Sequence, residues 1–216
     1  MTPDTITVVI PTYNRAAMVQ RAIASVLNET RVPIRVYVLD NASTDETPDV
    51  LARLAAQDSR LTYHRHLVNL GALGNYQAAL GRIDTEYFVP LADDDFLIEN
   101  FLFKAYGIMQ ADRSLGAAIF RTALVNDKGQ VESLYPHDAD HYPTGKLTPA
   151  THMPLWLEKS HYISWSAILW RSNALSTIKA PYLHTGGPSD VDFQGQIFCK
   201  HGGFNRSSQH HRLYVV

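Results

Sequence analysis

Glu86-Tyr87-Phe88-Val89-Pro90-Leu91-Ala92-Asp93-Asp94-Asp95 decides how this chain is read. Tyr87, Phe88, Val89 and Leu91 make a short apolar strand that ends abruptly in adjacent carboxylates. Neighbouring carboxylates repel one another, and an ionised carboxylate withdrawn from water needs a partner. A divalent cation resolves that conflict, because Mg²⁺ takes one or two protein carboxylates and completes its shell with water and phosphate oxygens. In an open α/β sheet, ligands bind outside the carboxyl ends of the strands, which is where this cluster falls. The residues taken alone read equally well as a solvated acidic turn opening a helix at Phe96, since Asp also favours helix N-termini.

The residues before this stretch tip the balance. Thr5–Ile10 is apolar and β-branched, a buried strand, and Pro11-Thr12-Tyr13-Asn14-Arg15 breaks it. Apolar residues at helical spacing (Met18, Val19, Ala22, Ile23, Val26, Leu27) predict a helix over Ala16–Glu29, with Asn14 as its N-cap. A second strand, Ile34–Leu39, ends in Asp40-Asn41-Ala42-Ser43-Thr44-Asp45. A helix over Thr47–Gln57 tolerates Pro48 in its first turn. Leu61–His66 predicts a third strand and Gly71–Arg82 a third helix. Strand and helix alternate up to the acidic strand, which is the pattern of a parallel sheet with crossover helices. The first, second and fourth strands then deliver Thr12, Tyr13 and Asn14, Asp40 and Asn41, and the acidic run to one edge. Groups suited to a nucleotide gather there, yet neither G-x-G-x-x-G nor G-x-x-x-x-G-K-[ST] occurs. Phosphate charge must therefore be met by something other than a glycine cradle, and a metal at Asp93–Asp95 would meet it.

Downstream the character changes. Ala117–Leu124 predicts a strand, Asn126-Asp127-Lys128-Gly129 a tight turn, and the Pro-, His- and Tyr-rich residues 133–154 a surface excursion of the kind that forms lids or binding loops. Tyr162–Trp170 predicts a strand on which Trp165 and Trp170 face opposite ways, one in the core and one free to stack on a sugar. Gly186-Gly187-Pro188 forms a hinge before Ser189-Asp190-Val191-Asp192-Phe193 and a helix to about Lys200, and Leu213–Val216 a last strand. The histidines His64, His66, His137, His141 and His152 lack the paired spacing of a zinc site and are expected at the surface.

Bulk properties narrow the function classes. The 216 residues are 45% hydrophobic and 19% charged, which suits one domain with a sizeable core. A net charge of −2 gives no basic field for nucleic acid. The single cysteine, Cys199, excludes an intrachain disulfide framework and reads as a buried small hydrophobe. No apolar run reaches the roughly 18 residues of a membrane span, and Met1–Thr5 is no basic leader. A cytoplasmic location is expected, with peripheral membrane contact left open.

At this point the residues resemble those of the family-2 inverting glycosyltransferases with the GT-A fold, in order and over essentially the whole chain. Val9-Ile10-Pro11-Thr12-Tyr13-Asn14-Arg15 is similar to that family's opening strand and turn. Val38-Leu39-Asp40-Asn41-Ala42-Ser43-Thr44-Asp45 resembles its second-strand motif, which usually ends in Gly-Ser-x-Asp. Asn69-Leu70-Gly71 with Asn75, Leu91-Ala92-Asp93-Asp94-Asp95, and Ser189-Asp190 resemble its third element, its metal-binding D-x-D region and its catalytic Glu-Asp pair. The chain departs from the pattern at Ala92, where many members have Asp, and at Ser189, which replaces the Glu. It departs again at Tyr76 and Gln77, where Ala-Arg-Asn is common and a diphosphate-facing Arg would stand.

The resemblance implies one GT-A domain over residues 1–216, with a nucleotide half at 1–115 and an acceptor half at 116–216. It puts Pro11, Thr12, Tyr13, Arg15, Asp40, Asn69, Asn75 and Asp93 on the nucleotide, Tyr13 by stacking and Asp40 through the imino N–H of uracil or thymine. Asp94, Asp95 and His211 would hold Mn²⁺ or Mg²⁺, and Asp190 would be the general base. The implied reaction moves a sugar from a UDP- or dTDP-linked donor to a saccharide or lipid-linked saccharide acceptor, in bacterial surface polysaccharide synthesis. Two other functions share the features: a sugar-1-phosphate nucleotidyltransferase, against which the lack of a Gly-rich opening loop counts, and a non-catalytic nucleotide-sugar binding module.

Overall fold

The computed structural model describes residues 2–126, 130–135, 145–148, 150–151, 164–177, 204–206 and 212–215. Four parallel strands form its frame: β1 (Thr2–Thr12), β2 (Ile34–Asp40), β3 (Leu61–Arg65) and β4 (Thr85–Pro90). They stand in the order β3-β2-β1-β4, with Thr12 beside Asp40 and Val9 beside Pro90. The chain winds outward from β1 to β3 and then returns to the other side of β1. The switch point of the sheet therefore lies between the ends of β1 and β4, the place where open α/β sheets bind ligands.

Helices α1 (Ala16–Leu27), α2 (Thr47–Gln57) and α3 (Gly71–Leu80) connect these strands. Period-two alternation in β1 decides which helix covers which face. Ile6, Val8 and Ile10 pack with Val19, Ile23 and Val26 of α1, whereas Val9 points the other way, with Leu39 onto Ala79 of α3. Both faces are covered, which is why Val8-Val9-Ile10 in β1 is continuously apolar rather than alternating. Gly71 opens α3 at φ +73, a left-handed conformation that a residue without Cβ adopts at no steric cost.

Several expectations are corrected. No helix opens at Phe96: Asp95–Phe96 is a two-residue strand, β5, and the next helix, α4, spans Phe101–Ala111. Asn14 is not the cap of α1; Arg15 holds that position, and Asn14, at φ 53, accepts the Thr44 N–H through Oδ1 at 2.7 Å. The strand expected over Ala117–Leu124 is two strands, β6 (Ala117–Ile119) and β7 (Arg121–Val125), in different sheets. Phe120 separates them, its ring edge-on to Phe101 at 5.0 Å.

Beyond α4 the chain extends the large sheet and builds a second one. β8 (Val131–Tyr135) pairs with β7, the turn closed by Asn126 N–H to Gln130 O at 3.0 Å. β9 (Gly145–Leu147), β10 (Ile168–Arg171) and β11 (Phe204–Arg206) join β6 to give the order β3-β2-β1-β4-β10-β6-β11-β9. β12 (Arg212–Val215) enters the second sheet, ordered β5-β12-β7-β8, so Asp95 lies beside Val215. Of the expected surface excursion, 145–147 is sheet edge, and 136–144 lies outside the described residues, as do Gly186–Pro188, the helix to Lys200 and Cys199. The strand expected over Tyr162–Trp170 is a 3₁₀ turn, Trp165–Ala167, followed by β10. Trp165 and Trp170 do not divide between core and surface: both are buried in one apolar cluster with Phe88 and Leu80.

Candidate active site

The carboxyl ends of β1, β2 and β4 open onto a cleft of about 470 Å³. Pro11, Thr12, Tyr13, Arg15, Asn41, Asn69, Asn75, Tyr76, Asp93 and Asp94 line it, with Gly71, Ala72 and Ala92. Most of the residues expected to meet a nucleotide are thus brought together, from segments far apart in the chain. Asp40 and Asp95 are held just behind the lining, 0% and 3% exposed. Asp190 and His211 lie outside the described residues.

One wall is neutral and closed by hydrogen bonds. Asn75 is buried on α3; its Nδ2 donates to Leu39 O at 3.0 Å and Thr12 O at 3.4 Å, and its Oδ1 lies 3.1 Å from His66 Nε2. Asn41 donates through Nδ2 to Asn69 Oδ1 at 2.9 Å and accepts the Leu70 N–H through Oδ1 at 2.8 Å. These bonds fasten the loop before α3 to the ends of β1 and β2. His66 was expected at the surface but is half-buried against Asn75. Tyr13 projects from the rim with 41% of its surface exposed, an open aromatic face at the mouth of the cleft.

Behind that wall, Asp40 Oδ1 accepts the Ser43 N–H at 3.0 Å. Its Oδ2 is buried and has no hydrogen-bond partner among the described residues, although Arg65 Nε approaches to 3.2 Å. The contact brings opposite charges together without hydrogen-bond geometry, so a buried carboxylate oxygen still has acceptor capacity to offer.

The other wall is acidic. Thr12 Oγ1 donates to Asp93 Oδ2 at 2.8 Å, tying the ends of β1 and β4 together across the switch point. Arg15 Nη1 donates to Asp93 Oδ1 at 2.9 Å and to Asp94 Oδ2 at 2.6 Å. Arg21 adds a bond from Nη2 to the Asp94 main-chain oxygen at 3.0 Å. Burial raises the Asp93 carboxyl above its ordinary range, against the opposing pull of Thr12 and Arg15. Asp95, buried beside Ser166 and its two acidic neighbours, is pushed up to about 7, with desolvation as the leading cause. Tyr76 packs against Trp165, the rings tilted by 48° with centroids 4.6 Å apart, and burial followed by the nearby Asp93 charge pushes its phenol well upward.

Among the described residues no three His, Cys, Asp or Glu side chains converge as a complete metal cage. The donor set nevertheless suits a hard cation of the Mg²⁺ or Mn²⁺ kind, which takes one or two carboxylates and leaves its other positions to water and phosphate. Asp93 and Asp94 present oxygens to the cleft, and among its described lining only Arg15 carries a compensating charge.

The family model for glycosyl transferase family 2 matches residues 7–175, more than half of the chain. The chain belongs to glycosyl transferase family 2. Among family-2 relatives, the GalNAc(5)-diNAcBac-PP-undecaprenol beta-1,3-glucosyltransferase of Campylobacter jejuni is 28% identical over 127 residues, 58% of this chain and 40% of its own length. The crystal structure of S. aureus TarS 1-349 superposes with a TM-score of 0.78 at 17% identity, covering 100% of this chain and 60% of that one. TarS has also been solved with UDP-GlcNAc and with UDP. The Pyrobaculum calidifontis mannosyltransferase PcManGT, in complex with GDP-Man and Mn²⁺, gives a TM-score of 0.63 at 19% identity over 97% of this chain and 56% of its own. These likenesses carry the GT-A fold, and the chain spans less than two thirds of each of these relatives.

The cleft also holds residues that the motifs alone did not single out as ligands or supports. Asn41 was legible as a polar strand end, but its bonds to Asn69 and Leu70 were not. Ser166 contacts the acidic turn, accepting the Ala92 N–H at 3.3 Å, from a segment whose sequence carries no sign of it.

Proposed function

We propose that this family-2 chain is a metal-dependent, inverting glycosyltransferase that moves a sugar from a UDP- or dTDP-linked donor to the hydroxyl of a saccharide or lipid-linked saccharide acceptor. The observation that carries this is the Thr12–Asp93 bond at the switch point, which sets an acidic turn against one wall of a nucleotide-sized cleft. Residues 1–115 would take the nucleotide and residues 116–216 the acceptor.

Tyr13 stacks on the base, and the unbonded Asp40 Oδ2 accepts its imino N–H, which favours a pyrimidine. Thr12 positions Asp93 toward the ribose, with Pro11, Asn69 and Asn75 shaping the pocket around it. Asp94 and Asp95, with His211, would hold the cation. A divalent ion bound there supplies Lewis-acid stabilisation of the leaving diphosphate. Asp190 takes the proton from the acceptor hydroxyl; the hydroxyl oxygen bonds to the anomeric carbon as the bond to the diphosphate oxygen breaks and its electron pair leaves with the nucleoside diphosphate. Such a single displacement inverts the anomeric configuration.

UDP is favoured by analogy with the UDP and UDP-GlcNAc complexes of TarS, and a lipid-linked acceptor by analogy with the Campylobacter relative, whose name includes PP-undecaprenol. That acceptor class would set the chain at the cytoplasmic face of a membrane, in surface polysaccharide synthesis. No helix among the described residues is long and apolar enough to cross a membrane, so such contact would be peripheral for this part of the protein.

The test is Mn²⁺-dependent hydrolysis of a panel of nucleotide sugars, comparing wild type with Asp94→Ala and Asp190→Asn. Release of UDP or dTDP from one donor, lost in Asp94→Ala and on chelation, is expected and identifies the sugar. Tight nucleotide binding without turnover of any donor, even with acceptors supplied, would instead favour a binding module.

A further inference from the structure

Arg15 stands at the start of α1, its backbone N–H held by Thr47 Oγ1 at 3.2 Å. The main chain is therefore fixed, while the side chain remains 45% exposed and crosses the cleft mouth to the acidic wall. There a single nitrogen, Nη1, spans two carboxylates, at 2.9 Å from Asp93 and 2.6 Å from Asp94. Arg15 is the one basic side chain among the described residues lining the cleft. Arg21 does not share the task, since it reaches the Asp94 main-chain oxygen rather than a carboxylate. The guanidinium thus occupies an Asp94 oxygen through which a hard cation would bind, together with the Asp93 carboxylate beside it. Two cations drawn to the same carboxylates repel one another, and a diphosphate is a better partner for a guanidinium fork than two separate carboxylates.

The geometry points to Arg15 as a resident counter-ion that holds Asp93 and Asp94 in the donor-free protein and exchanges them for the diphosphate when the donor binds with its cation. This inference rests on the reading of the cleft as a nucleotide-diphosphate site. It gives Arg15 a double role, against the cation alone and for the cation–diphosphate pair. Metal and nucleotide then bind with positive coupling: each is weak alone and strong with the other. Tyr76, on the facing helix, packs against Trp165 and supplies no cation, which leaves Arg15 as the cleft's basic side chain among its described lining.

The experiment measures Mn²⁺ affinity of the full chain by the electron paramagnetic resonance of free Mn²⁺, with no nucleotide, with uridine and with UDP. Wild type is compared with Arg15→Gln and Arg15→Lys, and melting temperature checks that each variant folds. Arg15→Gln should bind Mn²⁺ alone about tenfold more tightly, since the competing charge is gone, and should bind UDP with Mn²⁺ about tenfold less tightly. Arg15→Lys, which keeps the charge without the fork, should fall between. Uridine, which has no diphosphate, should bind wild type and Arg15→Gln equally. Unchanged or weaker binding of Mn²⁺ alone by Arg15→Gln overturns the counter-ion role, and undiminished UDP affinity overturns the exchange. Failure of wild type to bind UDP with Mn²⁺ overturns the donor-site reading itself, while the nucleotide-free arm still decides whether Arg15 competes for the carboxylates.

Discussion

The two walls of the cleft differ in how complete they are. On the asparagine wall Asn41, Asn69, Asn75 and His66 bond one another and the backbone of β1 and β2. On the acidic wall three successive carboxylates have one guanidinium reaching their side chains among the described residues, and burial raises two of them above the ordinary carboxylate range. The first wall is finished by its own bonds and shapes the pocket. The second gathers negative charge that Arg15 only partly meets, and under the proposed function that is where a cation would bind.

If that contrast is right, substitutions on the two walls separate stability from activity. The largest effect is expected for Asp94→Ala, which should cut metal-dependent donor hydrolysis about 100-fold or more. The same change should alter unfolding free energy by less than about 1 kcal/mol, because the ion pair it removes is largely exposed. Asn75→Ala should do the reverse in chemical denaturation, costing about 2–3 kcal/mol, because a buried donor to Leu39 O and Thr12 O disappears.

A smaller effect is expected at Asp95, and it depends on pH. Its folded carboxyl titrates near 7, above its unfolded value, so the folded chain holds this proton more tightly. The group therefore favours the fold at low pH; that contribution is lost as pH rises through about 7, above which a buried charge remains. Asp95→Asn, neutral throughout, should melt close to wild type near pH 4 and several degrees higher at pH 8, both in chelator, with the gap opening between the unfolded and folded values. Equal melting shifts at both pH values would mean that Asp95 is not titrating in the fold. The smallest effect is expected at Ala42, which sits at φ 63 in the loop after β2. Ala42→Gly should raise the melting temperature slightly, corresponding to about 1 kcal/mol or less, as left-handed strain outweighs the added unfolded-state entropy.

The asparagine wall and the acidic wall were also unequally legible. Thr12, Asp40, Asn41 and the acidic run could be placed at one edge from the chain alone, because alternating strands and helices fix which ends meet. The alternative of a helix start at Phe96 rested on the local preference of Asp for that position, whereas the backbone of Asp95 and Phe96 is claimed by Val215 and Tyr214 from the far end of the chain. The same kind of distant demand divides Ala117–Leu124 between two sheets at Phe120 and turns Trp165 inward onto Tyr76. His66 looked like a surface residue because its one buried partner, Asn75, sits on a helix whose own pattern gives no hint of the bond.

Calorimetric titration of UDP into the wild-type chain, with Mn²⁺ and with chelator, tests the central claim most directly. Binding that requires Mn²⁺ and disappears in Asp94→Ala is the result this account predicts. UDP binding that is indifferent to Mn²⁺, or survives the loss of Asp94, would contradict it.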